Sequence, residues 1–296
     1  MTQPTQKTQP WHNELRNRYI FEGNLEMRTG LHIGGGSLTI SNSNSPVVLA
    51  ADGLPFIPGS SFKGILRSTV EKFVLGLPAD LGLHTCGLPL EENPDESCPT
   101  AHQKTLQEKR RRSQNQAKEI TNEERKNLCH TCLLFGSPFS AARLIINDLY
   151  LVSDDWSEPI EIRDGVAIDR DSETAKNGLK YDFEVVPSTT TFRLHLTIEN
   201  ATDEDLQLIS IGLGEFTSGF ASIGGLRSRG LGACILKDLQ IRKLDLTDKD
   251  RRKDLLKQYL LRKKDNFESG LEQVGDTEGF FNEQIERLFK ERPAHS

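Results

Sequence analysis

No run of this chain approaches the ~20 apolar residues needed to span a bilayer, and Met1 to Pro10 is polar where a secretory signal carries an apolar core. Those absences make a soluble, cytoplasmic protein the expectation, with no membrane partner. A basic surplus is lacking as well: 37 Lys and Arg stand against 43 Asp and Glu, a formal charge of −6. That balance excludes a uniformly basic nucleic-acid binder. It does not exclude a local basic face, because net charge sums over surfaces the ligand never meets. There is no Gly-x-x-x-x-Gly-Lys-Ser/Thr loop and no strand, Gly-rich turn and helix in Rossmann order, so the common nucleotide sites are absent. No fixed-period repeat and no Pro-rich or Gln-rich tract occurs either.

What is present is a globular composition, 35% hydrophobic and 27% charged, in a chain long enough for one elaborated domain or two. Residues Arg18 to Ile33 alternate as a strand, with Tyr19, Phe21, Leu25, Met27, Leu31 and Ile33 apolar, until Gly34-Gly35-Gly36 ends the pattern. Ser60 and Ser61 read as N-caps of a helix to about Leu77, striped by Phe62, Ile65, Leu66, Val70 and Phe73. From Gly82 an insertion follows, carrying cysteines and then Lys109-Arg110-Arg111-Arg112 as either a charged helix or a disordered excursion. Arg143 to Val152 reads as a strand, and Tyr181 to Val186 with Thr191 to Ile198 as a protruding hairpin that returns to a strand. Asp203 to Phe220 is helical in pattern and Ala233 to Leu244 is a strand. The resulting order, strand, helix, strand, strand, helix, strand, is the ferredoxin-like βαββαβ of an α+β fold. Beyond it lie two amphipathic segments, Asp250 to Lys264 and Phe280 to Lys290, that either pack back on the domain or meet a partner.

The densest chemical signal is Gly224-Gly225-Leu226-Arg227-Ser228-Arg229-Gly230-Leu231-Gly232, four glycines and two arginines in nine residues. Glycine lets main-chain amides approach an anion and arginine grips phosphate oxygens with a planar fork, so the segment reads as a cradle for a phosphate backbone or as a tight turn alone. Lys63 and Arg67, one turn apart near a helix start, either add two cations to that site or form a solvated face. Cys129-His130-Thr131-Cys132 is a Cys-x-x-Cys pair, with Cys86 and Cys98 upstream. Together these suit a tetrahedral structural zinc, with His84, His102 or His130 as substitute ligands, or else are unrelated buried thiols. Cys234, inside the last strand, reads as a core thiol.

Four segments taken together resemble the RAMP (repeat-associated mysterious protein) superfamily of CRISPR systems, most closely the backbone subunits of type III effector complexes. They are Leu31 to Gly36, Pro55 to Arg67, Cys129 to Gly136, and Gly224 to Gly232, and Val166 to Arg170 resembles the segment that opens the thumb hairpin of those subunits. The resemblance spans about residues 18–240 and implies an RRM-like unit over 18–244. That unit would hold a zinc-bearing insertion at about 82–134 and a thumb at about 160–190, after a flexible segment 1–17 and before a helical extension 245–296. It implies stacking on other RAMP subunits and a large effector subunit along a CRISPR RNA, with the thumb pushing one base out of the pairing between guide and target RNA. The implied RNA contacts are His32, Gly34, Gly35, Ser60, Ser61, Lys63, Arg67, Gly225, Arg227, Arg229 and Gly230. Base pairing, not this chain, would then read sequence.

Family members that cut target RNA carry an aspartate shortly before a Ser-Pro-Val step, and here Asn44 stands there, ahead of Ser45-Pro46-Val47. An amide neither holds a divalent cation as a carboxylate does nor accepts a proton from an attacking hydroxyl. The expectation is therefore a scaffold without catalytic residues. The alternatives are a target-RNA endonuclease using nearby Asp52, and a metal-free guide-processing ribonuclease with His32 as general base.

Overall fold

A computed structural model describes residues 14–35, 43, 45–87, 97–112, 124–152, 156, 158–171, 173–261 and 270–290. Seven strands, β1 (Asn17–Met27), β2 (Leu144–Ile146), β3 (Glu161–Ile168), β4 (Ala175–Val185), β5 (Thr191–Glu199), β6 (Cys234–Asp245) and β7 (Glu272–Val274), occur with six α-helices among these residues. The helices are α1 (Gly59–Gly76), α2 (Gln103–Arg112), α3 (His130–Phe135), α4 (Asp203–Thr217), α5 (Lys249–Leu260) and α6 (Thr277–Phe289). One sheet runs β2-β5-β1-β6-β7 with antiparallel neighbours throughout, and β3 and β4 form a separate hairpin. Leaving out the hairpin, β1-α1-β2-β5-α4-β6 is the expected ferredoxin-like βαββαβ order.

Strand periodicity explains where the core lies. Phe21, Leu25 and Met27 of β1 and Phe192, Leu194, Leu196 and Ile198 of β5 are buried on the helix side, while the alternate residues face away. Phe62, Leu66 and Val70 of α1 meet Ile209, Leu213 and Phe216 of α4 on this face, with the Phe62 and Phe216 rings 4.9 Å apart. Gly212 permits the approach of the two helices, since a Cβ there would stand 2.6 Å from Leu66 Cδ1. The start of α4 is fixed twice. Thr202 and Asp205 form a reciprocal capping box, and the same Asp205 carboxylate accepts a 2.5 Å ion-pair bond from buried Arg143 just before β2. Burial makes both partners interdependent, because either charge alone would be left without compensation.

Several expectations change. Ser60 and Ser61 lie inside the first turn of α1; Pro58 is the N-cap and no side chain of its own caps it. Instead the Gly59 amide donates to Asp148 Oδ1 at 2.7 Å, a cap supplied from a distant turn. That turn also shortens the expected strand at 143–152 to Leu144–Ile146, followed by single bridges from Leu149 and Leu151. The hairpin is β3 with β4, not Tyr181 to Val186 with Thr191 to Ile198; β5 instead lies between β1 and β2 in the sheet. Lys109 to Arg112 belongs to the helix α2. The segment after β6 packs back: β7 pairs with β6, Phe281 and Leu288 of α6 join the main core, and Tyr259 of α5 covers Leu244 and Leu246. Residues 1–13 of the expected flexible segment lie outside the described residues, whereas Arg16 is bonded through its amide to Asn200 Oδ1. No helix among the described residues is long and apolar enough to cross a membrane.

Candidate nucleic-acid interface and metal centre

The turn after α4 is locked to the loop after β1. The Gly225 amide donates to His32 O and the Gly232 amide to Gly30 O, both at 2.8 Å. Gly224 and Gly232 are required by geometry: both have φ above +80°, and a Cβ would stand 2.4 Å from His32 O at Gly224 and 2.0 Å from Ile223 O at Gly232. Between them Leu226 takes a left-handed conformation, Arg227–Arg229 makes one 3-10 turn, and Gly230 closes it at φ 86°. Arg227 and Arg229 are both exposed at the rim. The amides of Arg229 and Gly230 turn back to Leu226 O and Arg227 O, so an anion would meet the guanidinium groups and the rest of the turn rather than those amides. The glycines therefore make the expected tight turn, and the amides of Gly225, Arg229, Gly230 and Gly232 are bonded within the protein rather than offered to an anion.

The hairpin reaches the same place. Arg229 donates to the Tyr181 hydroxyl and its guanidinium lies 5.6 Å from that ring's centroid. Tyr181 lies across Gly165 of the paired strand, where a Cβ would stand 2.2 Å from the ring, and stacks on Phe183 at 6.2 Å. Phe183 meets His32 edge-on at 5.9 Å. His32 is nearly buried; its Nδ1 lies 2.7 Å from Glu184 O and its Nε2 3.3 Å from Ser45 Oγ. The Glu184 carboxylate in turn accepts from the Val47 amide at 2.9 Å. So His32 joins the cradle, the hairpin foot and the 45–47 loop, with both ring nitrogens engaged. Gly34 pairs with Val47 at the edge of this assembly, and Gly35 donates to Pro46 O at 2.9 Å. Asn44 lies outside the described residues.

The α1 residues divide. Ser60 is exposed and Ser61 half-buried at the helix start. Lys63 Nζ donates to Leu144 O at 3.2 Å, and burial, then nearby Arg67, lowers its pKa. Arg67 is not brought to the cradle. Its Nε donates to Glu71 at 2.7 Å, its Nη1 to Gly136 O at 3.0 Å and its Nη2 to Cys132 Sγ at 3.3 Å. Asp52 is exposed and its Oδ1 accepts from the Leu54 amide at 3.0 Å, a turn-forming use of the carboxylate. Among the described residues it belongs to no group of ligating side chains. The outward residues of the sheet offer no base-stacking platform along β1 and β5, since Glu22, Asn24, Glu26, Arg193, His195 and Thr197 occupy that face and His195 and Lys237 are tied to Glu22 and Glu26.

The four cysteines meet in the small core of the insertion. Cys86, Cys98, Cys129 and Cys132 are buried with all sulfurs within 4.8 Å of one another. Cys86 Sγ and Cys132 Sγ are 3.7 Å apart, close to the ~3.8 Å edge of a tetrahedron with 2.3 Å metal–sulfur arms. The donor set fits a metal ion. Hydrogen bonds from Cys132 and then Cys86 lower the pKa of the Cys129 thiol. None of the three histidines joins the group; His130 Nδ1 accepts the His84 amide instead. Cys234 is apart, a buried thiol whose pKa burial raises to about 12. Sequence reasoning missed Tyr181 and Phe183, whose only signal is an aromatic pair two residues apart, and Thr100 and Thr131, whose hydroxyls lie 3.2 and 3.3 Å from Cys132 and Cys129 sulfurs.

The family model of the RAMP superfamily matches residues 24–235. The chain is 26% identical over 247 residues, 77% of its length and 82% of the other, to a Methanocaldococcus jannaschii protein named CRISPR system Cms endoribonuclease Csm3. Proteins of the same name from Methanothermobacter thermautotrophicus and Enterococcus italicus match over short stretches. The first is 43% identical over 60 residues, 19% of this chain and 24% of that protein. The second is 48% identical over 59 residues, 19% of this chain and 28% of that protein.

Proposed function

Because the chain belongs to the RAMP superfamily, we propose that it is a CRISPR RNA-binding backbone subunit of a type III effector ribonucleoprotein in antiviral defence, working in the cytoplasm. The observation that carries this reading is the basic rim of Arg227 and Arg229, held by backbone bonds to Gly30 and His32 and by Tyr181 of the hairpin. Such a rim suits a phosphate backbone, which positions RNA without reading its bases. Ser60, Ser61, Lys63, Gly34 and Gly35 are the proposed further contacts, and the β3–β4 hairpin the proposed thumb against guide and target RNA. Residues 18–244 make the RRM-like unit, whose sheet the 245–296 segment extends through β7. The proposed partners are other RAMP subunits and a large effector subunit; the relatives' names assign those proteins to a CRISPR system. Zinc is the metal proposed for Cys86, Cys98, Cys129 and Cys132, where it would close a loop-rich insertion as a structural ion.

The subunit is proposed to be non-catalytic, because Asn44 takes the place of a carboxylate and Asp52 serves a turn. The second reading, an active target-RNA endoribonuclease, is favoured by the name its relatives carry. A guide-processing role for His32 is disfavoured by the engagement of both ring nitrogens. Mapping target-RNA cuts in an assembled effector separates these readings. The unaltered subunit should leave the target intact at its own position, and Asn44→Asp should create a new cut there that depends on a divalent cation. A cut at that position in the unaltered complex contradicts the scaffold reading, and its loss in Asp52→Ala would give the role to Asp52.

A further inference from the structure

We propose that Arg67 is an outer-sphere partner of the cysteine-held metal and so ties α1 to the insertion, rather than a ligand of RNA phosphate. This rests on the reading that the four cysteines hold zinc. Three observations converge on it. First, the Arg67 side chain is only 13% exposed and its three guanidinium nitrogens are spread over Glu71, Gly136 O and Cys132 Sγ, which turns the fork away from solvent. Second, a dication with four thiolates leaves two negative charges in a buried site, and such a site needs donors aimed at its sulfurs. The Cys129 amide supplies one to Cys98 at 3.4 Å, and the Thr131 hydroxyl, 3.3 Å from Cys129 Sγ, is placed to supply another. Arg67 is the charged donor in that set among the described contacts.

Third, the geometry requires arginine. The planar fork holds Glu71 one turn along α1, the carbonyl at the end of α3 and the sulfur of Cys132 at once, which a lysine ammonium on a flexible stem cannot do. Glu71, itself 11% exposed, fixes the Nε end so that the other two nitrogens stay aimed at the insertion. The metal centre and the helix that carries Lys63 are thereby joined by one side chain. Loss of the metal is expected to be felt along α1 even though no ligand belongs to that helix.

The test uses the full chain loaded with zinc and follows transfer of the metal to a chromogenic chelator. Arg67→Gln should release zinc about 10–100-fold faster than the unaltered protein, the usual effect of losing an outer-shell partner. Arg67→Lys should fall between them, and Lys72→Gln, an equal charge loss on the exposed face of α1, should match the unaltered protein. With cobalt(II) in place of zinc, the thiolate-to-metal charge-transfer band should shift in Arg67→Gln and not in Lys72→Gln, a change that general loosening of the helix would not reproduce. With saturating zinc, Arg67→Gln should keep the salt dependence of RNA binding. Should Arg67→Gln not fold, Arg67→Lys carries the same three readouts. Unchanged release and an unchanged band in Arg67→Gln, or a reduced salt slope at saturating zinc, would overturn the proposal and return Arg67 to the RNA contacts. An unaltered protein that binds no zinc would instead bring down the zinc reading itself.

Discussion

Serine at position 129 is expected to strip the metal from the protein and unfold the insertion while the main sheet persists. Cys129 sits with Cys86, Cys98, Cys132, Ala101, Leu128 and Phe139 in a core separate from the one under the sheet. That cluster holds few apolar side chains of its own, so a bound metal would be its main cross-link. Apparent binding free energies of structural zinc in small peptides are about 10–16 kcal/mol, and losing one thiolate removes a large part of that. Elemental analysis should give one zinc per unaltered chain and markedly less in Cys129→Ser. Amide hydrogen exchange should then speed up over residues 97–112 and 124–136, with β1, β5 and β6 keeping their protection. Equal zinc in both proteins, or joint loss of protection in the sheet, would contradict a local metal-closed insertion.

Alanine at position 232 is expected to be among the most damaging small changes in the chain. The residue has φ +82°, and the added Cβ would lie 2.0 Å from Ile223 O, an atom of rigid backbone rather than the end of a movable side chain. The Gly232 amide and carbonyl also make the 2.8 Å bonds that close the turn on Gly30 and Ile223. Relief requires those bonds to open, so a destabilisation of about 4 kcal/mol or more is expected, in the range that marks a specific structural failure. Gly230→Ala is the internal comparison: its φ is also positive, at +86°, but nothing lies within 4 Å of the added Cβ. It should cost about 1–2 kcal/mol, the strain of the conformation alone. Denaturant unfolding of both variants measures the difference, and equal midpoints would contradict the packing described for the turn.

The periodic elements were legible in the sequence because one-sided burial writes itself into alternation and helical stripes. β1, α1 and α4 stand where Phe21, Leu25 and Met27, then Phe62, Leu66 and Val70, then Ile209, Leu213 and Phe216 predict them. The meeting of the four sulfurs was legible because a Cys-x-x-Cys pair with two cysteines upstream is a spacing that suits a shared ion. What could not be read were partnerships made across long separations. The cap of α1 comes from Asp148, 89 residues away, so the local serines misled. The hairpin pairing was misassigned because Gly165 gives no apolar signal, although its bareness is what admits the Tyr181 ring. The contact of Arg67 with Cys132 was not legible, because a fork one turn from Lys63 has the same spacing whether it serves a phosphate or a buried sulfur. Charge spacing fixes which face a side chain starts from, and burial decides what it meets.

The most direct test of the central claim is the salt dependence of binding to two single-stranded guide RNAs of unrelated sequence, for the unaltered chain, Arg227→Ala, Arg229→Ala and the double variant. If the rim holds phosphates, both guides bind alike, and each substitution weakens them equally. Each should also reduce the slope of log K against log salt by about 0.7, and the double variant by about 1.4. A slope unchanged in the double variant, or a loss confined to one of the two guides, would contradict a phosphate-holding backbone subunit.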